Sequence, residues 1–195
     1  MPQYLRLGSV PRKHHIAHRH TPGFKNEGIY YEEVVTTAGF SRAYSVVYHL
    51  RPPTRVTRLE PAGMIASDFG EQPTLRHHHV KTLALPRSGD PIDGRVLLFG
   101  NNDVTLARCR PERGQEELFR NADADEIVFV HRGRGFLHTM FGPLPFRDFD
   151  YVVIPRCTTY RFEFEAGCGP DLLVIESRGA ITIPPKYVKD RRAHV

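Results

Sequence analysis

The chain has no apolar run long enough to span a bilayer. Its first fifteen residues, MPQYLRLGSVPRKHH, lack the apolar segment of a secretory signal. Cysteine is sparse. Cys109, Cys157 and Cys168 are odd in number and show no C-x-x-C spacing. That pattern argues for reduced thiols in the cytoplasm rather than a disulfide framework. Each cysteine reads as a small packing residue, not a nucleophile. Nor is charge of one sign concentrated. The formal net charge is +5, and the densest basic stretches are RKHHIAHRH (12–20) and KYVKDRR (186–192). Neither alternates with aromatic side chains, so a mildly basic solvated surface is expected rather than a nucleic-acid site. Helical periodicity is weak, and repeats and low-complexity segments are missing. So are G-x-S-x-G, a P-loop, G-x-G-x-x-G with an acidic partner, and H-E-x-x-H. These absences remove the usual nucleophile–base, nucleotide and zinc-protease chemistries.

What remains is β-structure in a chain of 195 residues, enough for one domain with a real core. Strands are expected at IYYEEVV (29–35), YSVVYHL (44–50), TRVTRLE (54–60), RVLLFG (95–100) and VTLARC (104–109). More follow at EIVFVH (126–131), FLHTMF (136–141), YVVIP (151–155), YRFEFE (160–165) and LLVIES (172–177). GNND, RGRG, GP and GCGPD separate them as turns. Many short strands at this spacing predict an all-β barrel or sandwich. QPTLRHHHVKTLAL (72–85) has no clear period and reads as a loop. The expected organisation is an N-terminal arm (1–22), a β-barrel domain (23–178) and a C-terminal linker or tail (179–195).

The most informative stretch is FRNADADEIVFVHRGRGFLHTMFG (119–142). It reads as a strand, a tight Gly-rich turn and a second strand. Strand parity puts Glu126, Val128 and Val130 on one face and Ile127, Phe129 and His131 on the other. A hairpin closing around Gly133 and Arg134 would set Phe129 opposite His138. His131 and His138 would then share the face that Glu126 avoids. The stretch is similar to the signature segment of metal-dependent cupin barrels, H-x-H-x-x-x-x-E. Here Glu126 keeps its place, while Phe119 and Asn121 stand where the histidines would be. The second half of such a site follows G-D-x-x-x-I-P-x-x-x-x-H. Here FDYVVIPRCTTY puts Tyr160 at the histidine position. Iron and zinc need neutral imidazoles beside a carboxylate, so Phe119, Asn121, Glu126 and Tyr160 form a degenerate set. A Tyr160–Glu126 hydrogen bond in a filled barrel is the reading to prefer. His77 and His79 in RHHHV are weak metal candidates that could share a face of an extended strand. His14 and His18 would share a helical face, but Pro11 and the following TPG oppose a helix there.

The chain as a whole resembles the N-terminal half of a bacterial homogentisate 1,2-dioxygenase. The resemblance rests on the order and spacing of VPRK (10–13), GIYYEEVVTTAGFSRAYSVVYHLRPPT (28–54) and GRVLLFGNNDVTL (94–106). LFRNADADEIVFVHRGRG (118–135), FDYVVIPRCTTYRF (149–162) and IPPKY (183–187) continue it. It departs from the histidines common in the family at Tyr160 and Leu83. The resemblance implies a bicupin of two double-stranded β-helix, or jelly-roll, barrels. In that family a non-haem Fe(II) held by two histidines and a glutamate of the second cupin opens the ring of homogentisate with O2, in tyrosine and phenylalanine breakdown. The first cupin carries no metal. This chain is therefore expected to be the non-metal half, with no catalytic residue and no cofactor of its own. Its expected partner is the second cupin half, whether a missing part or a separate chain. An aromatic acid substrate, a homo-oligomer and no contact with nucleic acid or membrane are also expected. The alternative is a standalone metal-free cupin acting as a small-molecule-binding or structural dimeric module.

Overall fold

The structure, a computed structural model, describes residues 30–36, 39, 44–49, 51–61, 70 and 74–184. The expected arm (1–22), the stretch RKHHIAHRH with His14 and His18, and the segment KYVKDRR lie outside the described residues. The described residues divide between two compact units, 30–61 in one and 70–184 in the other.

The first unit contains an antiparallel pair, β1 (Tyr31–Val35) and β2 (Ser45–His49), with Tyr31 opposite His49 and Val35 opposite Ser45. Glu33 and His49 lie diagonally across the pair, and Glu33 Oε2 is 2.8 Å from His49 Nε2. The segment 54–60 is not a strand. It is exposed throughout and, among the described residues, is bonded to no neighbouring strand. β-branched residues favour a strand only where a partner and a packed face exist.

The second unit is built from β3 (Arg95–Gly100), β4 (Val104–Cys109), β5 (Phe119–Arg120), β6 (Asp125–Arg132), β7 (Gly135–Thr139), β8 (Gly142–Phe146), β9 (Tyr151–Ile154), β10 (Thr159–Phe164) and β11 (Asp171–Ser177). Five strands form one sheet in the order β3-β4-β11-β6-β9, and four form a second in the order β5-β10-β7-β8. All pairings are antiparallel. From β5 onward the chain alternates between sheets, save for the β7–β8 hairpin. That winding is the double-stranded cupin β-fold expected from the sequence. No α-helix occurs among the described residues; Thr82–Ala84 makes one 3-10 turn.

The core lies between the sheets. Val128 and Val130 of β6, Leu172 and Val174 of β11, and Val152 and Ile154 of β9 meet Leu137, Phe146, Tyr160 and Phe162 of the other sheet. Alternation explains the choice: on β6 the residues that point inward are the even-numbered ones. Burying each such Val, Leu or Phe contributes about 1.5–3 kcal/mol. The outer face of the five-stranded sheet is also apolar. Phe99, Leu106, Ile175, Ile127 and Val153 stand opposite one another in a single row across all five strands. Phe99 is 42% and Val153 47% exposed.

The structure corrects the hairpin expected at 126–141. β6 pairs with β9 and β11, whereas β7 pairs with β8 and β10. Phe129 faces Tyr151 and Leu173, and His138 faces Arg161 and Pro143. Gly133 and Gly135 make a corner that carries the chain from one sheet to the other. A Cβ on Gly135 would stand 1.9 Å from the Glu163 carbonyl oxygen, so only glycine lets the two backbones approach.

Candidate functional site

Sheet register assembles the centre of the barrel. Thr105, Glu176, Glu126 and Ile154 lie in one cross-strand row, on β4, β11, β6 and β9. Two carboxylates therefore sit directly opposite each other, an arrangement that is destabilising unless a cation joins them. Glu126 is completely buried. The cation is Arg95, the first residue of β3. Its Nη1 donates to Glu126 Oε1 at 2.6 Å and to Glu176 Oε1 at 2.7 Å. Its Nη2 donates to the Tyr160 hydroxyl at 3.1 Å, and its Nε to the Pro91 carbonyl at 2.9 Å. Tyr160 enters from β10 of the opposite sheet and donates its hydroxyl to Glu126 Oε2 at 2.7 Å. The hydrogen bond that the sequence suggested between Tyr160 and Glu126 is thus present, as one side of a triangle whose other two sides run to the Arg95 guanidinium. Phe119 completes the enclosure. Its ring lies 5.8 Å beneath the Arg95 guanidinium and meets Tyr160 edge-on at 5.7 Å.

The charges hold one another in place. Burial opposes a charged Arg95, but Tyr160, Glu126 and Glu176 outweigh it and bind its proton more firmly than usual. Burial raises the Tyr160 phenol further above its ordinary value, with Glu126 adding to the effect and Arg95 opposing it. Tyr160 is a neutral donor here, not a base. Glu176 is also raised, by burial first and then by Glu126, against the pull of Arg95.

Of the degenerate cupin positions, Phe119, Glu126 and Tyr160 converge on Arg95. Asn121 does not. Its Oδ1 accepts the backbone N–H groups of Asp123 and Ala124 at 3.0 Å each, capping the turn that leads into β6. Iron of the two-histidine, one-carboxylate kind does not fit this donor set, because among the described residues no imidazole reaches the centre and the carboxylates are engaged by a guanidinium. His77 and His79 are exposed in an irregular segment, not on a strand. Among the described residues no group of three or more His, Cys, Asp or Glu is arranged to hold a metal. His131 and His138 lie apart: His131 packs edge-on against Phe129 at 4.6 Å, and His138 pairs with Glu163 at 2.6 Å on the surface. Sequence reasoning missed Arg95. The available signal was Glu126 itself, since a carboxylate on the buried face of a strand requires a cation or a proton.

The second unit is therefore a cupin-fold barrel whose centre is closed by an arginine. No family model matches the chain. It is similar to the protein named "Putative dioxygenase SSO1533" of Saccharolobus solfataricus, 35% identical over 185 residues, which is 94% of this chain and 46% of that protein. The chain thus spans about half the length of this curated relative. Among solved structures it is similar to a cupin protein from Bacteroides fragilis, 11% identical, covering 58% of this chain and 92% of that chain, with a TM-score of 0.43. A cupin-2 domain containing protein from Shewanella frigidimarina is 17% identical over 49% of this chain and 86% of that chain, with a TM-score of 0.38.

Proposed function

We propose that this chain serves as the metal-free barrel of a two-barrel, homogentisate-dioxygenase-like ring-cleaving enzyme. The observation that carries the reading is Arg95, whose guanidinium occupies the centre where Glu126, Tyr160 and Phe119 converge. A guanidinium fixed by two carboxylates and a phenol offers no open position for O2 or substrate. The iron belongs to the second barrel, where it supplies the oxygen chemistry. This barrel contributes a packing wall. Its apolar outer row, Phe99 to Val153, is the surface offered to that partner. Similarity to half the length of a protein named as a dioxygenase supports the same division of labour.

The test is anaerobic Fe(II) loading of the purified chain, followed by metal analysis and oxygen uptake on homogentisate. The expected result is no stoichiometric iron and no uptake from this chain alone, with uptake when a second barrel of the dioxygenase type is supplied. Tight stoichiometric iron with uptake by this chain alone would overturn the reading. A stable metal-free dimer that stays inert beside a second barrel would favour a standalone module instead.

A further inference from the structure

A cleft of about 240 Å³ lies away from the Arg95 centre, lined by Leu83, Arg87, Arg108, Arg110, His131, Arg132, Gly169 and Asp171. Asp171 is the only acidic side chain among these residues. Four guanidiniums face one carboxylate, leaving an excess of three positive charges with His131 neutral. Arg108 and Asp171 are both buried, with side chains 8% and 10% exposed. Arg108 Nε stands 2.7 Å from Asp171 Oδ1, and Arg110 Nε 3.7 Å from Oδ2. Yet Arg108 Nε, Arg110 Nε and Asp171 Oδ1 make no well-directed hydrogen bond. One carboxylate neither neutralises nor satisfies this group.

The walls are rigid. Arg87 donates Nη1 to the Pro111 and Pro170 carbonyls at 3.1 and 3.0 Å, and Nη2 to Gly169 at 2.9 Å. Arg110 Nη1 holds the carbonyls of Leu83 and Leu85 at 2.8 and 2.6 Å. Gly169, at φ +59°, leaves room for the Arg87 guanidinium, which a Cβ would approach to 3.2 Å. Arg87 and Arg110 are therefore already held in place before any ligand arrives, which lowers the cost of binding.

We propose that this cleft is a binding site for a small oxyanion of phosphate or carboxylate type, held by Arg108 and Arg110 with His131 and Arg132 at its mouth. Guanidinium forks match such oxygens in pairs. His131 sits in the same field: burial, and then Arg108, hold its pKa below the ordinary value, and the opposing effect of Asp171 is the smaller one. The site is independent of the Arg95 centre and does not rest on the dioxygenase reading.

The experiment is calorimetric titration and thermal melting of the whole chain with inorganic phosphate and, separately, malonate, each against sodium chloride at equal ionic strength. Saturable binding of either oxyanion, and not of chloride, is expected. Phosphate alone or malonate alone would identify which oxygen group the site takes. Arg108→Gln by itself strands Asp171 in the interior, and Asp171→Asn beside it leaves the charge excess unchanged, so the variant to use is Arg108→Gln with Asp171→Asn and the surface change Arg132→Gln, which removes two guanidiniums and lowers the excess. The triple variant is expected to bind at least roughly tenfold more weakly while keeping its fold. Stabilisation by chloride equal to that by phosphate and malonate, no saturation by either oxyanion, or undiminished affinity in the folded triple variant would each overturn the proposal.

Discussion

Replacing Arg95 by methionine tests the barrel centre most directly. Methionine keeps much of the stem volume and removes the charge. Glu126, with none of its surface exposed, would lose the Nη1 donor at 2.6 Å and keep only Tyr160. Breaking a buried pair from one side costs about 3–5 kcal/mol, because the surviving charge is left unpaired. Against a total stability of about 5–15 kcal/mol, that is a loss large enough to shift the melting point by roughly 10 °C in a chain of this size. The facing Glu176 adds repulsion.

Arg95→Met combined with Glu126→Gln should recover most of the loss, to within about 1 kcal/mol of wild type, since a neutral amide accepts from Tyr160 without needing a cation. Urea unfolding followed by circular dichroism, with unchanged m-value, is the assay. A single variant that loses less than about 1 kcal/mol, or a double variant as weak as the single, would refute the claim that Arg95 compensates Glu126.

Other expectations concern the frame around the centre. Gly135→Ala should cost more than about 2 kcal/mol or abolish soluble expression, because the new methyl meets the Glu163 backbone oxygen at 1.9 Å; a melting curve matching wild type would contradict the corner geometry. Asp125 accepts the Ile181 N–H at 2.9 Å and the Arg156 backbone N–H and Nε at 3.1 and 3.0 Å. Burial works against its charge, but these donors prevail and depress its pKa. Its contribution is complete above the unfolded value of about 3.9 and is lost as pH falls through the lower folded value. The stability gap between wild type and Asp125→Asn should therefore be full at neutral pH and close in strong acid; a gap that does not change with pH would count against it. Burial pushes the Cys109 thiol up to about 12. In native protein at mildly alkaline pH, Ellman's reagent should modify exposed Cys157 and leave Cys109 untouched until denaturant is added; mass mapping that finds Cys109 labelled in the native state would show a looser core.

Strand content was legible where side chains alternate strongly. β3 and β4 fall on the expected 95–100 and 104–109, and β6, β7, β9, β10 and β11 lie within two residues of expectation at each end. β8 was hidden because GPLPF carries two prolines and its leading GP reads as a turn. It is an edge strand, at the end of the order β5-β10-β7-β8, where an absent N–H costs little. The corner at Gly133–Gly135 was misread as a hairpin for a physical reason: both need glycines at positive φ, and only distant pairing, with Glu163 and Pro170 close behind, tells them apart. The degenerate positions at Phe119, Glu126 and Tyr160 were visible one by one. What joins them came from Arg95, thirty-one residues before Glu126, and one arginine among the chain's many basic side chains carries no local mark of burial.

The guanidinium at the centre does more than fill space. A barrel wall that keeps an inward glutamate must balance its charge, and the balance can be met by a metal or by a fixed side-chain cation. The two are not equivalent. A metal retains exchangeable positions at which a substrate can bind, whereas Arg95 spends Nη1 on two carboxylates, Nη2 on a phenol and Nε on a carbonyl. Its charge is also permanent at any accessible pH. Phe119 and Tyr160 give the guanidinium an aromatic floor and an oxygen acceptor. Arg95, Glu126, Phe119 and Tyr160 therefore form one coupled set: with Arg95 in place a second cation at Phe119 or Tyr160 would be repelled, and without Arg95 the buried glutamate would face Glu176 uncompensated. That coupling is how this barrel keeps a fully buried glutamate with its charge balanced by a side chain.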